Sequence, residues 1–145
     1  MPYMFGTGPQ KPGIPFREFR QRIELLTLDS GSTCNLGDLL IATSTGWKPA
    51  TTTLAGSSAG QYAVALLAQA TAGGTVRAMV EGFVGVNKLV TSAPWYGQAI
   101  GTSATAGQVD VVTEANQYGS TTQAGWAMES AASGDLSLGI MLKAA

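Results

Sequence analysis

The chain has 145 residues, and it contains no histidine and only one cysteine. Histidine is the commonest general base and metal ligand, so its absence excludes Ser-His-Asp and Cys-His catalytic arrangements. The single thiol, Cys34, cannot form an internal disulfide, which excludes a disulfide-stapled secreted domain. The acidic residues lack calcium-loop spacing, and the phosphate-binding Gly-Lys-Ser/Thr sequence is missing. We therefore expect a protein that is not an enzyme and that holds no metal and no cofactor.

Targeting signals and long hydrophobic runs are also missing from the sequence. The N-terminus lacks the basic start and apolar stretch of a signal peptide. The longest apolar run, Tyr62–Ala68, is too short to cross a bilayer. Outside residues 1–22 the basic residues are too few for a nucleic-acid patch. We expect a chain made in its host's cytoplasm that binds neither membrane nor nucleic acid.

Charge is scarce. Charged residues make up 12% of the chain, whereas soluble domains average about 25%. One interpretation is an exported β-domain rich in threonine and serine. The other is that much of the surface lies against further subunits, because charged residues are depleted in the centres of interfaces. Composition favours the assembly.

The C-terminal region carries the clearest structural pattern, a pair of strands. A short apolar run ends at Met128, and small and polar residues follow through Gly134-Asp135. Strict alternation then predicts a strand with one buried face, and the predicted members of that face are Leu136, Leu138, Ile140 and Leu142. The polar middle predicts a hairpin connection that is too long for a two-residue turn.

A similar pattern occurs upstream, in residues 62–80. An Ala-Leu strand leads into small residues, a Gly-Gly turn and a second strand with Val76, Ala78 and Val80 on one face. The sequence therefore predicts two similar hairpins. Strand signals recur about every ten residues, which favours a small all-β sandwich or barrel.

The other elements are less regular. Arg22–Leu28 predicts a strand on which Ile23 and Leu25 share a face. Residues 35–38 predict a turn into a strand, residues 50–60 a surface loop, and Asn87-Lys88 a further turn.

The first 22 residues differ from the predicted β-domain of residues 23–145. They hold four of the six prolines, which favour extended chain, and a net charge of +3 against −4 for the remainder. This composition predicts an extended arm that binds a neighbouring subunit or a capsid through apolar and basic side chains. The predicted contact residues are Phe5, Lys11, Ile14, Phe16, Arg17, Phe19 and Arg20.

The C-terminal motif Gly-x-Ala-Met-Glu-x-Ala-x-x-Gly-Asp-Leu, followed by alternating apolar residues, resembles the ending of small capsid decoration (cement) proteins of tailed bacteriophages. The mid-chain Val-Glu-Gly-Phe-Val of residues 80–84 is similar to the middle of the same proteins, and the resemblance spans residues 36–142. The matching C-terminal residues are Gly125, Ala127, Met128, Glu129, Ala131, Gly134, Asp135, Leu136, Leu138, Ile140 and Leu142.

The resemblance implies a compact β-domain of the β-tulip type, which sits as a homotrimer on the outer surface of the virion. There it would bind the major capsid protein and clamp neighbouring capsid subunits. The family has no catalytic motif, so the resemblance implies no catalytic residue. The first two dozen residues match nothing in the shared core.

Two alternatives remain open. Residues 26–32, Leu-Thr-Leu-Asp-Ser-Gly-Ser, fit the loop of retroviral-type aspartic proteases, in which Asp29 would be catalytic and residues 55–60 would imitate a flap. The same residues also suit a plain turn. The three tryptophans, Trp47, Trp95 and Trp126, could form a sugar-binding platform, although core or interface packing is the commoner role.

Overall fold

The computed structural model describes residues 21–55, 60–112 and 122–143 of the chain. These residues form one antiparallel sheet that curls into a half-barrel, and a single short helix. The elements are β1 (Arg22–Thr27), β2 (Leu39–Thr43), β3 (Gly46–Pro49), α1 (Thr52–Ala55), β4 (Tyr62–Ala65), β5 (Thr75–Asn87), β6 (Ala99–Thr102), β7 (Val109–Val111), β8 (Gln123–Ala127) and β9 (Ser137–Leu142). The prediction of an all-β, barrel-like domain is confirmed.

The long strand β5 organises the sheet. Its 13 residues pair with β1 and β4 in the first half and with β9 in the second. The strand order is therefore β3-β2-β4-β5-β9-β8-β6-β7, with β1 added to β5. Parallel bridges from Leu28 to Trp47 and from Lys88 to Val109 draw β3 and β7 towards the ends of β1 and β5. Each half of the sheet thus curls back on itself.

The two halves are repeats of one five-stranded unit. Ile23 pairs with Met79 between β1 and β5, and Phe83, 60 residues after Ile23, pairs with Met141, 62 residues after Met79. The remaining partners of the two ladders from residue 23 to 27 and from 83 to 87 keep the same offsets. We call residues 22–81 the first repeat and residues 82–143 the second repeat, with β5 divided between them. The predicted pair of similar hairpins is confirmed as β4–β5 and β8–β9.

The buried side chains form two clusters. The first lies inside the first repeat and comprises Leu26, Leu28, Cys34, Leu40, Ala63, Ala65, Val76, Ala78 and Val80. The second contains the corresponding positions of the second repeat and also side chains from the opposite face of β2 and β4; its larger members are Leu39, Ile41, Tyr62, Val64, Val86, Ile100, Val109, Leu138, Ile140 and Leu142. The second repeat therefore packs against the back of the first.

Four details differ from the sequence predictions. Leu136 is 71% exposed because it precedes β9, and only Leu138, Ile140 and Leu142 of the predicted face are buried. The predicted turn at Asn87-Lys88 is wrong, since β5 continues through Asn87 and the chain turns at residues 90–91. The predicted loop at 50–60 contains α1, where Ala50 and Ala55 are fully buried. Ile23 and Leu25 do share a face, but it is the exposed one.

Candidate functional site: an aromatic groove on the second repeat

The equivalent outer faces of the two repeats have different surroundings. In the first repeat, Leu39 and Val64 form a cross-strand pair between β2 and β4, and both are fully buried. The corresponding pair in the second repeat is Ala99 and Trp126, and Trp126 is 42% exposed. A position that is core in one repeat is therefore surface in the other.

The second repeat itself covers the face of the first repeat. The Leu39 amide donates to the Gly107 carbonyl at 2.8 Å, and the Gly107 amide donates to Ala50 at 3.0 Å. The Asn87 side-chain amide donates to an Asp38 carboxylate oxygen at 3.0 Å. Gly107 has φ of +82°, and a Cβ there would lie 2.6 Å from the Asp38 carboxylate, so the close approach favours glycine.

A tight turn before β6 places two more aromatic residues beside Trp126. The Trp95 amide donates to Gln98 Oε1 at 2.9 Å, and the Gln98 amide donates back to the Trp95 carbonyl at 3.1 Å. Gly97, at φ +91°, donates its N–H to the Ala127 carbonyl on β8. The Tyr96 amide donates to Ser130 Oγ at 3.1 Å. The turn is thus fixed at both ends to the second hairpin.

The same turn occurs in the first repeat, without aromatic residues. The Asn35 amide donates to Asp38 Oδ2 at 2.8 Å, and the Gly37 amide donates to the Ala65 carbonyl at 2.9 Å. Leu36 occupies the position of Tyr96, and the two side chains are 62% and 65% exposed. Leu36 therefore provides a matched control position for Tyr96.

Trp95, Tyr96 and Trp126 line an open groove of about 390 Å³, which we call the aromatic groove. Trp95 is 66% exposed, and residues 97–99 complete the lining. Phe83 and Glu129 contribute to a second hollow of about 280 Å³ over Gly139, whose amide donates to Glu129 Oε2 at 2.6 Å. Met141 lies between Trp126 and Phe83 in the sheet, so the two hollows are neighbours.

The tryptophans therefore have separate roles. Trp47 is half-buried and packs against the core of the first repeat, as the core interpretation predicts. Trp95 and Trp126 lie at the surface, so they are not core residues. Composition could not separate these cases, but the 60-residue offset that aligns Trp95-Tyr96 with Asn35-Leu36 would have placed Trp95 in a turn.

Asp29 forms part of a hydrogen-bonded turn. Its carboxylate accepts from Thr45 Oγ1 at 2.7 Å and from Thr43 Oγ1 at 2.8 Å. The hydrogen bond from Thr45, opposed by partial burial and helped by Thr43 and Lys48, lowers the pKa of Asp29. A shared-proton carboxylate pair would instead need one raised pKa. This arrangement supports the plain turn and gives the protease alternative no support.

Removing the Thr45 hydroxyl should destabilise the fold in a pH-dependent way. A lowered folded-state pKa stabilises the fold above the unfolded pKa of about 3.9, and that stabilisation is lost as pH falls through the folded pKa. We expect Thr45→Val to lower the free energy of unfolding by about 1 kcal/mol at neutral pH, with the difference shrinking below about pH 4. Thr45→Ser keeps the donor and should resemble wild type. Urea unfolding at several pH values measures this, and a pH-independent difference would contradict the role assigned to Asp29.

Lys88 is a buried residue that the sequence pattern does not reveal. It occupies the position of Leu28 in the first repeat and is 1% exposed. Its ammonium donates to the Leu89 carbonyl at 2.8 Å and to the Ser92 carbonyl. These backbone bonds replace the carboxylate partner that a buried lysine often has. Lys88 therefore belongs to the structure of the loop at residues 88–92.

The other sequence predictions about sites have mixed outcomes. Cys34 is buried, and burial raises the pKa of its thiol. The predicted arm residues Phe5, Lys11, Ile14, Phe16, Arg17, Phe19 and Arg20 lie outside the described residues. Within residues 21–55, 60–112 and 122–143, no three His, Cys, Asp or Glu side chains group as metal ligands would. In the same part of the chain, no helix is long and apolar enough to cross a membrane.

Comparisons with known proteins give no relative for this chain. No protein-family model, curated protein or solved structure matches it.

Proposed function

We propose that this chain is a non-enzymatic capsid decoration protein, which binds the outside of a mature phage head and clamps neighbouring major capsid subunits. The aromatic groove is the observation that carries the proposal. Trp95, Tyr96 and Trp126 are exposed on a fixed turn and strand, and tryptophan and tyrosine dominate the energetically important centres of protein interfaces. A chain with so few charged residues suits extensive contact with other subunits.

Clamping acts through mass action. A subunit that binds only the mature lattice stabilises that lattice by its binding free energy. Contacts that repeat head to tail around an axis close into a ring, which supports the proposed homotrimer. The major capsid protein and further copies of this chain are the proposed partners, and the outer surface of the virion is the proposed location.

The aromatic groove also supports a second candidate, a glycan-binding β-module. Exposed aromatic rings bind ligands by stacking, and three such rings line the groove. The two candidates differ in their ligand: a decoration protein binds assembled capsid, and a glycan-binding module binds free oligosaccharide.

The test uses mature and unexpanded heads assembled from the major capsid gene that neighbours the gene of this chain. We expect the protein to co-sediment with mature heads only, to raise the temperature at which they break, and to form closed rings in electron micrographs. Tyr96→Ala should weaken binding by about tenfold or more, and Leu36→Ala should not. Absence of binding to mature heads, together with binding on a glycan array, would favour the second candidate. Pepstatin-sensitive peptide cleavage that Asp29→Asn abolishes would favour the protease.

A further inference from the structure

Three prolines of the N-terminal arm are evenly spaced. Pro9, Pro12 and Pro15 follow one another at intervals of three residues. A polyproline II helix has three residues per turn, so these prolines would form a single ridge along one side of such a helix. Proline-rich ridges of this kind bind grooves lined by aromatic side chains, with little ordering entropy to overcome because the helix is preformed.

The aromatic groove has the form that such a ridge requires. Trp95 and Tyr96 project from the turn before β6, and Trp126 projects from the neighbouring strand β8. The rings are held from outside the groove, because the turn is hydrogen-bonded to Ala127 and Ser130. Rigid aromatic residues bind with a small loss of conformational entropy.

We propose that residues 9–15 of one copy of this chain bind in the aromatic groove of another copy. The charges agree with this pairing. Lys11 lies within the segment and Arg17 follows it, in an arm with a net charge of +3. Glu129 lines the hollow next to the groove, and residues 23–145 carry −4. Opposite net charges steer the two parts towards each other.

The connection between the segment and β1 favours a second copy over the same chain. Six residues separate Pro15 from Arg22 and reach at most about 20 Å. The route over the sheet from Arg22 past Glu81, Phe83 and Met141 to Trp126 is about 21 Å, and Trp95 lies one strand and a turn further. Binding within one chain would leave this connection no slack, whereas the groove of a second copy sets no such limit. The inference concerns contact between copies and stands whether or not they decorate a capsid.

The test joins cysteines placed in the two proposed partners, in the full-length chain without capsids. One preparation carries Pro12→Cys and another carries Tyr96→Cys, and the two are mixed under mild oxidation. Because a disulfide forms only where the two Cα atoms come within about 7 Å, we expect a mixed covalent dimer. The control replaces Tyr96→Cys with Leu36→Cys, which alters the same turn position in the first repeat and should give little dimer. Trp95 and Trp126 remain in place to bind the segment.

Sedimentation of the uncross-linked protein provides the second readout. Self-association should be concentration-dependent in wild type, and replacement of all three prolines by alanine should weaken it by about tenfold or more. Equal cross-linking with Leu36→Cys, or no cross-linking at all, would overturn the proposal. So would a Pro12→Cys, Tyr96→Cys double variant that closes its disulfide within a monomer, because that result places the segment on its own chain.

Discussion

Gly125→Ala is expected to cause the largest loss of stability of any single methyl addition in the second repeat. A Cβ at Gly125 would lie 2.0 Å from the Met141 carbonyl oxygen and 3.1 Å from the Leu142 Cα. Both are backbone atoms of β9, the strand paired with β8, so neither can rotate away. Overpacking costs about 1–3 kcal/mol where side chains can adjust, and here we expect at least about 3 kcal/mol. For a domain of this size that lowers the melting temperature by roughly 10 °C.

Gly85→Ala is the matched control for this prediction. Gly85 lies in β5, has no heavy atom within 4 Å of an added Cβ, and does not have a left-handed φ. An added methyl group there reduces the freedom of the unfolded chain, so we expect the stability to stay equal or to rise by up to about 1 kcal/mol. Thermal melting of both variants decides the matter. A Gly125→Ala variant within about 1 kcal/mol of wild type would show that β8 and β9 lie further apart than described.

The sequence predicted those strands whose side chains alternate cleanly. In β9, Leu138, Ile140 and Leu142 are separated by Ser137, Gly139 and Met141, so the period of two is readable. Leu136 continues the alternation in the sequence but lies outside the strand. Its carbonyl accepts from the Lys88 amide while its side chain remains in solvent. Periodicity identifies a face but does not show where the ladder of hydrogen bonds ends.

The length of β5 could not be predicted, because its second half contains residues that are typical of turns. Gly82, Gly85 and Asn87 all lie within the strand. Asn87 stays in the ladder since its amide donates to the Gly37 carbonyl and its side chain donates to Leu36 and Asp38. These partners lie about 50 residues earlier in the chain. Tertiary contacts thus override the local turn preference.

The aromatic groove was beyond local sequence patterns for a related reason. Val64 and Trp126 occupy equivalent positions of β4 and β8, and each lies in an apolar strand. Only the packing of the second repeat over the first buries Val64 and leaves Trp126 exposed. In repeat proteins the last unit presents a face that its predecessors cover, so exposure depends on position along the array.

Removal of the N-terminal arm should abolish most capsid binding while the β-domain stays folded. A truncation that begins at Gln21 retains all of β1 and the ion pair between Arg22 and Glu81, at 3.8 Å. Both buried clusters consist of residues from Leu26 onwards, so the melting temperature should change by a few degrees at most. Burial of one large apolar side chain contributes about 1.5–3 kcal/mol, and the arm offers four such residues, Phe5, Ile14, Phe16 and Phe19. Even partial burial of two of them implies a loss of affinity of about a hundredfold.

Co-sedimentation with mature heads, beside thermal melting, separates the possible roles of the arm. A second variant with Lys11, Arg17 and Arg20 changed to glutamine keeps the apolar anchors and removes the positive charge. It should bind with an affinity closer to full length than to the truncated chain, and its remaining deficit should vanish at high salt, because exposed charges are screened there. If the truncated chain unfolds, the arm is part of the domain core. If it binds heads as tightly as full length, the arm does not fasten the subunit, and the aromatic groove alone must carry the contact with the capsid.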